Sequence, residues 1–187
     1  MDVLETYLRE LRVTRATGAG VKETSYYPAL ANLLNAVGKT LKPRVHCVIN
    51  VRNQGAGIPD GGLFTPDQLQ AVGDAPFNQV PTPARGVLEA KGTGDKLDAI
   101  LKTDQVERYR QRYGQVLVTN LRDFVLLGAD AAGDRAVLER FSLAPDEASF
   151  WAADLRALTD AHAEPFVQYL ARVMVHNAPL ATPKDVA

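Results

Sequence analysis

Three charged residues stand where a folded domain has little structural use for them: Asp60, Glu89 and Lys91. Asp60 follows Gly57-Ile58-Pro59 at the head of an apolar run, and Glu89 and Lys91 flank Ala90 at the end of Gly86-Val87-Leu88. Residues two apart in a strand face the same side, so Glu89 and Lys91 project together. Pairing of strand 86–90 with strand 58–64 would bring Asp60 beside Glu89. Two carboxylates at one point form an oxygen-rich site suited to Mg²⁺, with Mn²⁺ as a substitute; Mg²⁺ keeps waters and needs only one or two protein carboxylates. Such an ion clamps a phosphate oxygen and acidifies a water. A neighbouring ammonium steadies the charge on a pentacovalent phosphate. Without a cation, mutual repulsion would raise one carboxyl pKa. The plainer alternative is a surface Glu–Lys pair plus an Asp in a Pro-Asp-Gly-Gly turn.

To converge, these residues need paired strands and helices to cover them. Val3, Leu4, Tyr7, Leu8 and Leu11 recur at helical spacing, which predicts a helix over 2–15. A second helix is expected at about 25–41, with Thr24 or Ser25 as its N-cap. Val45, Cys47, Ile49 and Val51 alternate as in a strand, Gly55-Ala56-Gly57 makes a turn, and 58–64 reads as the returning strand. Residues 65–83 carry four prolines and no periodicity, and read as a loop or excursion. A strand at 86–90 and a helix at 99–113, closed by Gly114, come next. Strands are then expected at 115–119, 124–127 and 137–141, and helices at roughly 146–159 and 164–176. This order is a mixed α/β (α+β) layer sandwich with a hairpin-bearing central sheet, without the alternation of a doubly wound domain.

The motif Pro59-Asp60, 28 residues, then Glu89-Ala90-Lys91 and a basic helix resembles the PD-(D/E)XK nuclease superfamily. The resemblance implies a restriction endonuclease-like core, a mixed central sheet flanked by helices. It further implies that Asp60, Glu89 and the Ala90 carbonyl hold Mg²⁺, with Glu23 completing the shell and Lys91 positioning the water. Gln105 and Tyr109, in a Q-x-x-x-Y pattern, would buttress the site and face DNA, as would Arg108 and Arg112. The runs from Glu23 to Asn35, Leu41 to Pro43 and Gly55 to Phe64 are similar to the N-terminal nuclease domain of large single-chain bacterial restriction–modification proteins fused to an adenine methyltransferase (Type IIG/ISP-like), over about residues 20–128. On that resemblance residues 1–143 are the nuclease domain, 144–178 are helices that pack on it or lead to a connector, and 179–187 are a linker-like tail. The expected function is a Mg²⁺-dependent endodeoxyribonuclease of phage defence in the bacterial cytoplasm, acting on double-stranded DNA. Its expected partners are a methyltransferase and target-recognition region in a longer protein, and a second copy for double-strand cleavage. The alternatives are a repair-type exonuclease and a catalytically silent DNA-binding or docking module.

Composition bounds these readings. With 187 residues, 46% hydrophobic and 23% charged, the chain can bury a real core. No apolar run is long enough to cross a membrane, and the acidic N-terminus is unlike a signal peptide. One cysteine, Cys47, excludes an internal disulfide, and three scattered histidines without Cys partners lack the spacing of a zinc site. Lys91-Gly92-Thr93-Gly94-Asp95-Lys96 lacks nucleotide-cradle spacing and reads as a flexible loop beside the site, with phosphate contact as the alternative. The net charge of −1 conceals asymmetry: residues 85–122 hold eight basic and five acidic side chains, and 123–187 hold five and ten. A neutral total is therefore compatible with a basic DNA-facing surface.

Overall fold

The structure, a computed structural model, describes residues 2–18, 23–74 and 81–176. It is built on a six-stranded sheet in the order β1 (His46–Ile49), β2 (Gly61–Phe64), β3 (Val87–Ala90), β4 (Val116–Thr119), β5 (Asp123–Ala129) and β6 (Arg135–Ser142). Neighbours are antiparallel except β3 and β4, which run parallel. A parallel pair needs a helical crossover, supplied by α4 (Leu97–Ile100) and α5 (Asp104–Tyr113). The expected mixed sheet flanked by helices is what the chain adopts.

Strand alternation assigns each side chain to a layer. Leu88, Ala90, Leu117 and Phe124 face a core formed with α1 (Val3–Ala16), α2 (Tyr27–Gly38) and α7 (Leu155–Val175). Val87, Val116, Val118 and Val125 face the other way, onto Leu97, Val106 and Tyr109 of α4 and α5. Glu89 shares a face with Val87, so β3 turns its carboxylate toward the α5 layer. Among the described residues no helix is long and apolar enough to cross a membrane.

Several boundaries differ from expectation. The second helix opens as a 3-10 turn over Glu23–Tyr26, and its α-helical part starts at Tyr27 with Pro28 in the first turn. Tyr26 is the N-cap and makes no side-chain capping bond, so neither Thr24 nor Ser25 caps it. That helix ends at Gly38, where a Cβ would collide with the Val45 carbonyl. The returning strand begins at Gly61, because Asn53 Oδ1 ties the backbone N–H groups of Gly55 and Gly57 into a turn first. The 65–83 excursion contains α3 (Pro66–Asp74), with proline at the position where a helix tolerates it. The expected 99–113 helix is two helices, interrupted before Thr103, whose hydroxyl caps α5 through Val106 N–H. Gly114 ends α5 at φ +79°, as expected. The C-terminal break falls at Ala153–Asp154, between α6 (Glu147–Ala152) and α7, rather than near 160. Asp154 caps α7, which runs on through Pro165. Proline removes one backbone bond there, but Phe166, Tyr169, Leu170 and Val173 are buried immediately after it. The linker-like tail lies outside the described residues.

Candidate active site

Two strand ends and one helix start deliver the site. The register of β2 against β3, Gly61 opposite Leu88 and Gly62 opposite Val87, puts Asp60 next in line with Glu89. Asp60 is held from both sides: its carbonyl accepts Asn50 N–H at 2.8 Å, and its Oδ2 accepts Ala90 N–H at 2.8 Å. The following Gly62 is a packing requirement, since a Cβ there would lie 2.8 Å from Phe64, Pro83 and Val51 side chains.

Glu89 is 1% exposed. Its Oε1 accepts a 2.6 Å bond from Lys91 Nζ, whereas Oε2 is buried without a hydrogen-bond partner. Burial pushes the Glu89 carboxyl up to about 7; the Lys91 bond works against this, and the Asp60 charge adds to it. Lys91 Nζ also donates to the Ala90 carbonyl at 3.1 Å and lies 3.6 Å from Glu23 Oε1. Burial disfavours its charge, but the Glu89 bond and the charges of Glu89, Glu23 and Asp60 outweigh that and raise its pKa. Lys91 is therefore a fixed ammonium among three carboxylates.

The structure thus brings together Asp60, Glu89, Ala90 and Lys91, with Glu23 across the lysine. Glu23 is tied by the Tyr27 hydroxyl, which donates to its Oε1 at 2.9 Å. Burial, a hydrogen bond to Asp60 and the Asp60 and Glu23 charges push that hydroxyl above its ordinary range. Tyr27 is the residue the sequence reading missed; its place in an apolar helix start gave no signal beyond the polar tip of a tyrosine. Among the described residues no group of three or more His, Cys, Asp or Glu could hold a metal ion. A cation would rest on Asp60, Glu89 and the Ala90 carbonyl, with Glu23 acting on Lys91. The buried, unpartnered Glu89 Oε2 fits that use, because such an atom costs free energy unless something pairs with it.

The α5 residues divide. Tyr109 is fully buried, accepts a 3.0 Å bond from Gln105 Nε2, and packs under Gly57, where a Cβ would sit 3.3 Å from its ring. It supports the turn that leads to Asp60. Gln105 and Arg108 are exposed. Arg112 bonds the Gln54 carbonyl at 3.3 Å, and Arg110 is paired with Glu107 at 2.7 Å. The 91–96 segment is braced rather than loose: Thr93 is buried, its hydroxyl donates to Glu147 at 2.6 Å and accepts from Trp151 at 3.2 Å, and Gly92 N–H bonds Asp95. A cavity of about 330 Å³ opens beside this cluster, between Arg15, Glu23, Tyr26 and Gly92–Gly94.

Among solved structures the fold is similar to a chain in a cryo-EM structure of a DrdV–DNA complex, with a TM-score of 0.57 and 19% sequence identity. The match covers 92% of this chain and 14% of that one. No protein-family model and no curated protein matches the sequence.

Proposed function

We propose that this chain is a Mg²⁺-dependent endodeoxyribonuclease unit that hydrolyses DNA phosphodiester bonds, working with the methyltransferase and target-recognition region of a restriction–modification protein. The observation that carries the proposal is the convergence of Asp60, Glu89 and Lys91 at the ends of β2 and β3, with a buried carboxylate oxygen left unpartnered. The similarity in fold to a chain solved with DNA supports the choice of substrate.

Bound Mg²⁺ would polarise a phosphate oxygen and acidify a water. Asp60 and Glu89 supply the negative charge that seats it, and the Ala90 carbonyl a neutral oxygen. Lys91 keeps its proton in this surrounding, so its role is that of a cation and donor rather than of a base. It orients the attacking water and offsets charge gathering on the phosphate oxygens. Glu23 and Tyr27 hold Lys91 and Asp60 in place, which limits the reorganisation needed as the transition state forms.

Alanine at Lys91 should lower Mg²⁺-dependent nicking of supercoiled plasmid by about 10²- to 10³-fold, while the chain still unfolds in one cooperative transition. A circular substrate also separates this activity from an exonuclease, which has no end to start on. Undiminished nicking by Lys91→Ala would overturn the assignment.

A further inference from the structure

A second feature lies on the same sheet face as Glu89, three strands away. Cross-strand partners share a face, and the register gives an unbroken row: Glu89 opposite Val118, Val118 opposite Val125, Val125 opposite Arg140. Helices α4 and α5 cover the middle of this face. Beyond α4, over β5 and β6, lies an open cavity of about 800 Å³. Four of its lining residues are basic (Lys96, Lys102, Arg122, Arg140) and two are acidic (Asp98, Asp123).

Arg140 pairs with Asp98 at 2.8 Å and Arg122 with Asp123 at 2.8 Å, so those four charges cancel. Lys96 and Lys102, at the two ends of α4, are exposed and carry no ion pair among the described residues. The surplus positive charge of the cavity is theirs. Successive strands lie about 4.8 Å apart, so Arg140 is roughly 14 Å from Glu89.

Resting on the nuclease reading, we propose that this cavity extends the DNA path: Lys96 and Lys102 take backbone phosphates of the duplex outside the active site. The occupant is DNA rather than a small anion because the two unpaired ammonium groups flank α4 along an open cavity of about 800 Å³, where a chain of phosphates can meet both. Contacts of this kind set the register of the duplex without reading its sequence.

The test is fluorescence anisotropy of the whole chain with a short labelled duplex in EDTA, over a range of salt. For the Lys96→Gln/Lys102→Gln double variant, the slope of log K against log salt should shrink by about 1.8, which is 0.9 per lost phosphate contact. The pair Lys39→Gln/Lys42→Gln, at the opposite end of the sheet, should leave it unchanged. Equal slopes in parent and variant, an equal loss in the control pair, or no duplex binding by the parent at low salt would overturn the proposal. The carboxylate site is read separately, by Mn²⁺-induced thermal stabilisation that Asp60→Asn removes and the lysine variant keeps. DNA binding through the lysines without that stabilisation would leave the DNA contact of the cavity standing and sink the nuclease reading.

Discussion

At the scale of residues, the site is a compromise between burial and charge. Glu89 is buried as deeply as the valines beside it, yet one of its oxygens has no partner. Such groups lower stability and persist where function uses them. Replacing it with glutamine removes the buried charge, and Lys91, partly exposed and near Glu23, keeps a carboxylate neighbour. Glu89→Gln should therefore raise metal-free stability by about 1–3 kcal/mol in urea unfolding while abolishing stabilisation by Mn²⁺. A variant that loses stability and still responds to Mn²⁺ would count against the role given to Oε2. Asp60, Glu89 and Lys91 were legible in the sequence because alternation within a strand is local and the turn fixes the register. Tyr27 was not, since its bond to Glu23 and its place beside Asp60 depend on a 3-10 turn that no propensity announced. The bracing of Thr93 by Glu147 and Trp151 spans more than fifty residues and has no local signal.

At the scale of elements, the turn before β2 and the helix α5 act as one support. Gly57 has φ +116°, a conformation glycine adopts freely, and it lies against Tyr109. Gly57→Ala strains the backbone and presses on that ring, at a cost of about 1–3 kcal/mol. Because the next residues lead to Asp60, the same substitution should weaken Mn²⁺ binding; thermal melts with and without Mn²⁺ check both effects. Unaltered Mn²⁺ binding in a destabilised variant would show that the turn does not position Asp60. The strands were readable as alternating apolar runs, whereas the helix ends were not. The prolines in 65–83 read as part of a loop, but Pro66 stands at a helix start, and Pro165 lies inside a helix held by the buried residues after it. The true break at Ala153–Asp154 is marked only by the capping carboxylate.

At the scale of the whole molecule, α7 closes the core rather than trailing from it. Phe166 is fully buried and packs against Phe124 of β5 at 4.9 Å between ring centroids. Phe166→Ala should cost about 3–5 kcal/mol and lower the single unfolding transition of the whole chain; a separate early transition of the C-terminal helices would contradict this. The near-zero net charge now has a spatial meaning. Acidic side chains meet at the ends of β2 and β3, and in the cavity over β5 and β6 the cations without an ion pair among the described residues are Lys96 and Lys102, which flank α4. Most direct is a crystal structure of the protein grown with Mn²⁺ and measured for anomalous scattering. The expected result is a peak bonded to Asp60, Glu89 Oε2 and the Ala90 carbonyl; no peak there, or one on Glu23 away from Glu89, would contradict the assignment of this site.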